Sequence, residues 1–217
     1  MTYAPPVVLA APSGAGKTTL ARRLVAGSDR FVFSISATTR APRPRERDGV
    51  DYSFVSEGDF EAMIDAGEFV EWAAVHGRLY GTPRAALEAA ASKGEHVVLD
   101  IDVQGARQIR DSVPDASLIF ILPPSVDALM RRLRGRGTEA APEVERRLRS
   151  ALDELEAASE FAHRVVNDDL GQCLQDIERI VMGEQADAVS TVPLENIDVL
   201  RAGIARILEE EYQNVGN

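Results

Sequence analysis

The chain has 217 residues, enough for one well-packed α/β domain with small insertions and too few for two full-sized domains. Its 24 Lys+Arg against 35 Asp+Glu give a net charge of −11, which argues against non-specific binding to nucleic acid or an anionic membrane and makes any local gathering of arginines read as a focused anion site. The single cysteine, Cys173, excludes a disulfide scaffold and a Cys-ligated metal site and reads as a small buried apolar residue. With no apolar run near the roughly 18 residues of a membrane span and no signal-peptide pattern, a reducing cytoplasm is the expected location.

In chain order, Val7-Val8-Leu9 is an apolar run short enough for a buried parallel strand, and from Lys17 the periodicity becomes that of an amphipathic helix. Phe31 to Ser36 alternates like a strand and runs into Ala37-Thr38-Thr39-Arg40. Residues 40–50, rich in Pro and Arg, form an extended loop. A short strand over 51–55 follows, then a helix over about 59–66 with Ser56 and Asp59 as caps, then two strands, 69–73 and 77–82, joined by a turn. These pieces predict a small mixed β-subdomain over about 35–82, leaning over the loop before Lys17. Trp72, beside Glu71, is expected in the core.

Pro83 suits the first turn of a helix over about 84–92 that Gly94 ends. His96 to Asp102 reads as a continuous apolar strand finishing in two carboxylates, Asp100 and Asp102. A helix over 103–111 and a strand over 117–122 complete a βαβα rhythm, which implies a parallel sheet with ligands beyond the carboxyl ends of its strands. Ser125 caps a helix through Arg134, residues 135–139 form a turn, and from Pro142 a long helix carries Arg146, Arg147 and Arg149; the segment of about 131–149 reads as a helical lid. Residues 164–168 are the last strand and 174–182 the last helix of a domain spanning 1–182. The remaining 183–217 form a helix-bearing tail whose apolar stripe of Ile197, Leu200, Ile204, Ile207 and Leu208 packs either on its own domain or on a second subunit, which leaves a homo-oligomer open.

The stretch from Val7 to Leu24 carries the clearest chemistry. Pro12, Ser13, Gly14, Ala15 and Gly16 turn the chain so that backbone N–H groups and the positive end of the next helix converge on a di- or triphosphate. Lys17 adds a point charge for the outer phosphates, Thr18 a hydroxyl for a phosphate-bound Mg²⁺, and Thr19 completes the loop. The pattern G-x-x-x-x-G-K-[ST] is met except at its first position, Ala11, where glycine contributes turn freedom and no ligand. Arg40 and Arg43, three apart on an extended loop with Tyr52 and Tyr80 nearby, offer guanidinium forks and phenolic donors suited to a phosphate monoester; a merely solvated basic loop leaves the tyrosines unexplained.

The ordered set PSGAGKTT, SATTRAPRPRERDGVDYSFV, FVEWAAVHGRLYGT, LDIDVQG and RLRGRGTE resembles the guanylate kinase family of ATP:GMP phosphotransferases from about Val7 to Met182. The resemblance implies an α/β fold: a P-loop parallel sheet flanked by helices, with an inserted small mixed β GMP-binding subdomain and a helical lid that closes to exclude water. It implies transfer of the γ-phosphoryl of ATP-Mg²⁺ to GMP, with dGMP as a further acceptor. It makes Arg40, Arg43, Tyr52 and Tyr80 the GMP phosphate site and Glu71 the base reader, a carboxylate that can accept from guanine N1–H and N2–H₂ where adenine offers no such pair. Ser36 and Thr82 match the family's hydroxyl donors to the guanine; Ala37 stands where many relatives have a second serine.

By the same resemblance Asp100 lies nearer the metal and its waters, and Asp102 nearer the acceptor nucleotide. Lys17, Arg40, Arg132, Arg136 and Arg147 are the groups expected to stabilise charge in transfer, the last three from the lid. Asn167 fits the adenine side. Arg131, Arg134, Arg146 and Arg149 are expected to face solvent or pack on carboxylates, and His76, His96 and His163 show no metal spacing. The competing expectations are a guanylate-kinase-like scaffold that no longer catalyses, which the intact loop opposes, and a ribose bisphosphate kinase, which Glu71 and Thr82 oppose.

Overall fold

A computed structural model describes residues 4–44, 46–75, 77–135, 141–184 and 192–212. Its parallel central sheet, flanked by helices, runs in the order β2 (Phe31–Phe33), β7 (His96–Asp100), β1 (Val7–Ala10), β8 (Ser117–Leu122), β9 (His163–Val166). A separate four-stranded sheet runs β4 (Ser53–Phe54), β3 (Ala37–Thr38), β6 (Arg78–Pro83), β5 (Phe69–Val75) and is mixed, because β3 and β4 are parallel while the other pairs are antiparallel. Contacts divide the chain into two compact units, residues 1–8 with 21–117 and residues 9–20 with 118–217. Helix α1 (Lys17–Gly27) begins in the second and continues in the first.

In the first unit the small sheet closes over Ala37, Phe60 and Phe69, with the two phenyl rings stacked 4.6 Å apart. Helix α2 (Glu57–Asp65) starts two residues earlier than the expected Asp59, since Ser56 is itself the N-cap and its hydroxyl accepts from the Asp59 N–H at 3.1 Å. Pro83 does not occupy the first turn of α3 (Arg84–Lys93). It remains the last residue of β6 and caps the helix from outside, and Gly94 ends α3 at φ +71°.

Two expectations are overturned here. The strand from His96 stops at Asp100, and Asp102 is the N-cap of α4 (Val103–Ser112), its carboxylate accepting from the Gly105 N–H at 2.8 Å. The helix has four orphan donors to satisfy at this end, and an aspartate serves that need better than it extends a strand. Trp72 is 40% exposed, not core. Strand β5 alternates, so the register that buries Glu71 and Ala73 must turn Trp72 outward.

In the second unit β8 and β9 pair in parallel, and Ser125 caps α5 (Val126–Arg134) by accepting from the Ala128 N–H. Helix α6 (Ala141–Glu156) follows, then a 3₁₀ turn (Ala157–Glu160), β9 and α7 (Leu170–Val181), which starts four residues before the expected Leu174 because Asp169 caps it. Helix α8 (Leu194–Ile207), continued by a π turn over Leu208–Tyr212, buries Ile197, Leu200, Ile204 and Leu208 within this unit. Gly203 permits the contact with α5, since a Cβ there would stand 2.7 Å from Val126 Cγ2. Arg134 to Glu211 and Arg201 to Glu156 tie the tail at its surface. Among the described residues no helix is long and apolar enough to cross a membrane.

Candidate active site

The phosphate loop of the second unit turns on two glycines with positive φ, Gly14 at +89° and Gly16 at +94°. Neither has room for a side chain: a Cβ on Gly14 would lie 2.7 Å from Leu133 Cδ2, and one on Gly16 would lie 2.6 Å from Asn167 Nδ2. The Ala15 carbonyl accepts from Asn167 Nδ2 at 2.8 Å and from Arg132 Nη1 at 3.0 Å, and Arg132 Nη2 donates to the Asn167 carbonyl at 2.8 Å. In a trans peptide the next N–H is antiparallel to that carbonyl, so pinning Ala15 O aims the Gly16 N–H away from Asn167. Arg132 and Asn167, which sequence reasoning sets against the nucleotide, therefore also shape the loop. Lys17 is half-buried; Thr18 and Thr19 are exposed in the first turn of α1.

Helix α6 grips the other end of the loop. The Glu154 carboxylate accepts from the Ser13 N–H at 2.7 Å, and Arg147 Nε donates to the Ser13 hydroxyl at 3.1 Å. Arg136 lies outside the described residues. Arg134, Arg146 and Arg149 pair with Glu211, Glu143 and Glu145, and Arg131 is exposed, as expected of arginines that face solvent or pack on carboxylates. Pro124, Ser125, Ala128, Arg131, Arg132 and Asp168 line a cleft of about 540 Å³.

In the first unit the β5–β6 register sets Glu71 opposite Thr82 and Ala73 opposite Tyr80, with a bulge between Phe69 and Glu71. Glu71 is 4% exposed, and the Thr82 hydroxyl, wholly buried, donates to its Oε1 at 2.5 Å. Its other oxygen fills the space a side chain at Gly105 would need, since a Cβ there would stand 2.5 Å from Oε2. Helix α4 is fixed against this strand by Gln108, which accepts from the Trp72 N–H at 3.1 Å and donates to the Trp72 carbonyl at 2.7 Å. Asp102, through its bond to the Gly105 N–H, belongs to the same construction.

Thr82 and Tyr80 are two apart on β6 and share a face, so the carboxylate end of this site and its phenolic end lie about 7 Å apart along the strand. Tyr80 meets Tyr52 edge-on at 6.1 Å, and the Arg40 guanidinium lies 5.3 Å from the Tyr52 ring centre. Arg40 forms a two-point pair with Glu46, at 2.9 and 3.0 Å, and Glu46 also accepts from the Arg43 N–H at 2.7 Å. Burial works against both charges, but the bonds outweigh it: those from Arg40 and Arg43 lower the Glu46 pKa, and those to Glu46 and Tyr80 raise that of Arg40. Burial, with Asp100 nearby, pushes the Tyr52 phenol up to about 12, so it stays a neutral donor.

Ser36 is half-buried, its carbonyl accepting from the Ser53 N–H, and Asp100 is half-buried at the end of β7. Ala37 is wholly buried against Phe60 and Phe69, an apolar wall where a hydroxyl has little use. His96 holds the Pro5 carbonyl and packs on Phe31, burial lowers the His163 pKa, and His76 lies outside the described residues. Sequence reasoning missed Glu46, Gly105, Gln108 and Glu154. Only Gly105 left a signal, as a glycine in the first turn of a helix where propensity disfavours it.

The guanylate kinase family model matches residues 3–184. A guanylate kinase of Myxococcus xanthus (strain DK1622) is 44% identical over 207 residues, covering 94% of this chain and 96% of its own, a match that extends past residue 184. One of Corynebacterium diphtheriae (strain ATCC 700971 / NCTC 13129 / Biotype gravis) is 48% identical over 181 residues, 82% of this chain and 95% of its own. The crystal structure of guanylate kinase from Anaplasma phagocytophilum superposes with a TM-score of 0.70 at 32% identity, covering 91% of this chain and 94% of that one. With a glycine-turned phosphate loop in one unit, a buried carboxylate beside paired arginine and tyrosines in the other, and these relatives along nearly its whole length, the chain belongs to the guanylate kinase family.

Proposed function

We propose that the chain transfers the γ-phosphoryl group of ATP, bound with Mg²⁺, to GMP, giving ADP and GDP, with dGMP as a further acceptor. The observation that carries the choice of acceptor is Glu71, a carboxylate buried to 4% exposure and held by Thr82. A buried carboxylate demands donors, and guanine N1–H and N2–H₂ supply two side by side. Adenine supplies neither, so a site of this kind rejects it by about 10⁴-fold or more. Ser36 donates to the remaining guanine edge, Thr82, whose one hydroxyl hydrogen goes to Glu71, adjoins the base while holding its reader, and Asp102 supports that side. Arg40, Arg43, Tyr52 and Tyr80 take the phosphate.

The loop from Ser13 to Thr19 holds the ATP phosphates through amides other than those of Ser13 and Ala15, which are bonded to Glu154 and to the Pro12 carbonyl, with Lys17 as point charge against the outer two. Asn167 and the cleft beside Arg132 receive the adenine. Lys17, Arg40, Arg132, Arg136 and Arg147 spread the negative charge that in-line transfer builds on the phosphoryl oxygens, so no covalent intermediate is needed. The donor types suit Mg²⁺: Thr18 offers an exposed hydroxyl that would ligate it, and Asp100 a carboxylate at a strand end that would act through water, both hard oxygen donors. Bound there, the ion would neutralise charge on the β- and γ-oxygens.

Neither alternative gains support, since Gly14, Gly16, Lys17 and Thr18 are all present and Glu71 with Thr82 is built to pair with a base. We place the enzyme in the cytoplasm. ADP release measured with GMP, AMP, CMP and UMP as acceptors tests the reading: GMP is expected to dominate by orders of magnitude, and equal rates with AMP would overturn it.

A further inference from the structure

This inference rests on the assignment of the GMP phosphate to Arg40, Arg43, Tyr52 and Tyr80. A guanidinium carries five N–H donors in one plane. In Arg40 both on Nη1 are engaged, one by Glu46 Oε2 at 2.9 Å and one by the Ala41 carbonyl at 2.7 Å, and one on Nη2 goes to Glu46 Oε1 at 3.0 Å. The two that remain, Nε–H and the outer hydrogen of Nη2, lie on the same side edge of the fork, and one of them is bonded to the Tyr80 hydroxyl, itself a donor. A phosphate at this edge accepts from the other N–H and from the phenol.

The same carboxylate accepts from the Arg43 N–H, so one side chain sets the rotamer of the first arginine and the backbone at the second. The pair is only partly wet, at 15% and 18% side-chain exposure, and the faces of Tyr52 and Phe54 lie 5.3 and 5.8 Å from the guanidinium carbon. We infer that Glu46 is the positioning residue of the acceptor phosphate site. It occupies the end of the Arg40 fork so that the side edge is presented to the incoming phosphate, and it does not compete for the phosphate itself. Without it a long side chain must be ordered anew at each binding event.

The test compares the wild type with Glu46→Gln, which keeps size but removes the second acceptor oxygen and the charge, and with Glu46→Ala. Both are measured by steady-state ADP release and by inhibition with guanosine, which lacks the phosphate. The expected result is a KM for GMP raised about 10- to 100-fold, with the KM for ATP, the guanosine inhibition constant and the preference for GMP over AMP each within twofold of wild type. An unchanged or lowered KM for GMP would overturn the inference, a lowered one marking Glu46 as a competitor. Equal weakening of GMP and guanosine would also overturn it, since that describes a loosened loop. Failure of the wild type to phosphorylate GMP would sink the functional reading and this inference with it; wild-type turnover with indifferent variants sinks the inference alone.

Discussion

Gly105→Ala probes Glu71, the proposed guanine reader, without touching a group proposed to contact nucleotide. A Cβ at residue 105 would stand 2.5 Å from Glu71 Oε2 and 3.0 Å from its Cδ, where ordinary contact begins near 3.4 Å, so the carboxylate must retreat by about 1 Å. It has little freedom to do so. Oε1 is bonded to Thr82 at 2.5 Å, and α4 cannot slide away because Gln108 is doubly bonded to the Trp72 backbone. A shift of about 1 Å at a reacting assembly costs on the order of 10²-fold, and each bond made by a charged group contributes about 1.5 to 3 kcal/mol. The expected loss in kcat/KM for GMP is therefore about 10²- to 10³-fold, or about 3 to 4 kcal/mol. Alanine is the better helix former by up to about 1 kcal/mol, so Tm should hold while selectivity for GMP over AMP collapses, and the KM for ATP should not move. ADP release with both acceptors measures this; a kcat/KM for GMP within threefold of wild type would refute the reasoning.

Glu154→Ala strips the Ser13 N–H of its acceptor, whereas Ser13→Ala removes only the partner of Arg147; the first should raise the KM for ATP about tenfold or more and the second by less, both leaving the KM for GMP alone. A parallel rise for GMP in the same steady-state assay would contradict an effect confined to the phosphate loop. Burial pushes the Cys173 thiol up to about 12, above its unfolded value of about 8.5, so its contribution to stability is full below about pH 8.5 and is lost as pH rises towards 12. At pH 8 the native chain should alkylate with iodoacetamide far more slowly than the denatured one, and fast native labelling would show the thiol to be exposed. Removal of residues 193–217 uncovers the α5 surface that Gly203 packs on and removes four buried aliphatic side chains, Ile197, Leu200, Ile204 and Leu208; calorimetry should show Tm lower by about 5 °C or more, and a change under about 1 °C would mean that the tail contributes no packing.

What could be read in the amino acids follows the range of the forces that decide it. The turn from β1 into α1 is local: a continuous apolar run, two glycines and a lysine within eleven residues, each with one conformational meaning. Ser125 was equally legible, since a cap, an acidic first turn and an apolar stripe lie within one helix. Strand β4 was expected over 51–55 and pairs with β3, but β3, two residues long, carries no periodicity of its own, and what orders it on its other side is pairing with a strand some forty residues on. At Asp102 local signals conflict, because Ile101 prolongs the apolar run while the aspartate offers a cap, and the cap wins. Trp72 misleads for another reason. Composition sends a tryptophan inward, but alternation along β5 can bury only one of two neighbours, and Glu71 with its partner Thr82 takes that place.

Glu46 and Glu154 were illegible because their meaning lies in pairing and not in pattern. Glu46 sits in a Pro- and Arg-rich loop where a carboxylate reads as ordinary solvated charge, and Glu154 lies 141 residues from the amide it accepts. Each nevertheless faces a site built to attract anions, one in each unit. A guanidinium or an aligned amide that must bind phosphate tightly is, without it, a donor lacking an acceptor, and burial makes that expensive. A carboxylate on one edge of a guanidinium, as Glu46 on Arg40, satisfies part of its demand and leaves another edge to the substrate, whereas an amide has one hydrogen, so Glu154 takes the Ser13 N–H for itself and fixes the turn of the loop. The overall acidity of the chain is then compatible with two anionic ligands: the carboxylates nearest the sites act through the arginine and the loop they orient, and the other acidic residues of a chain whose whole net charge is −11 discourage indiscriminate anion binding elsewhere on the surface.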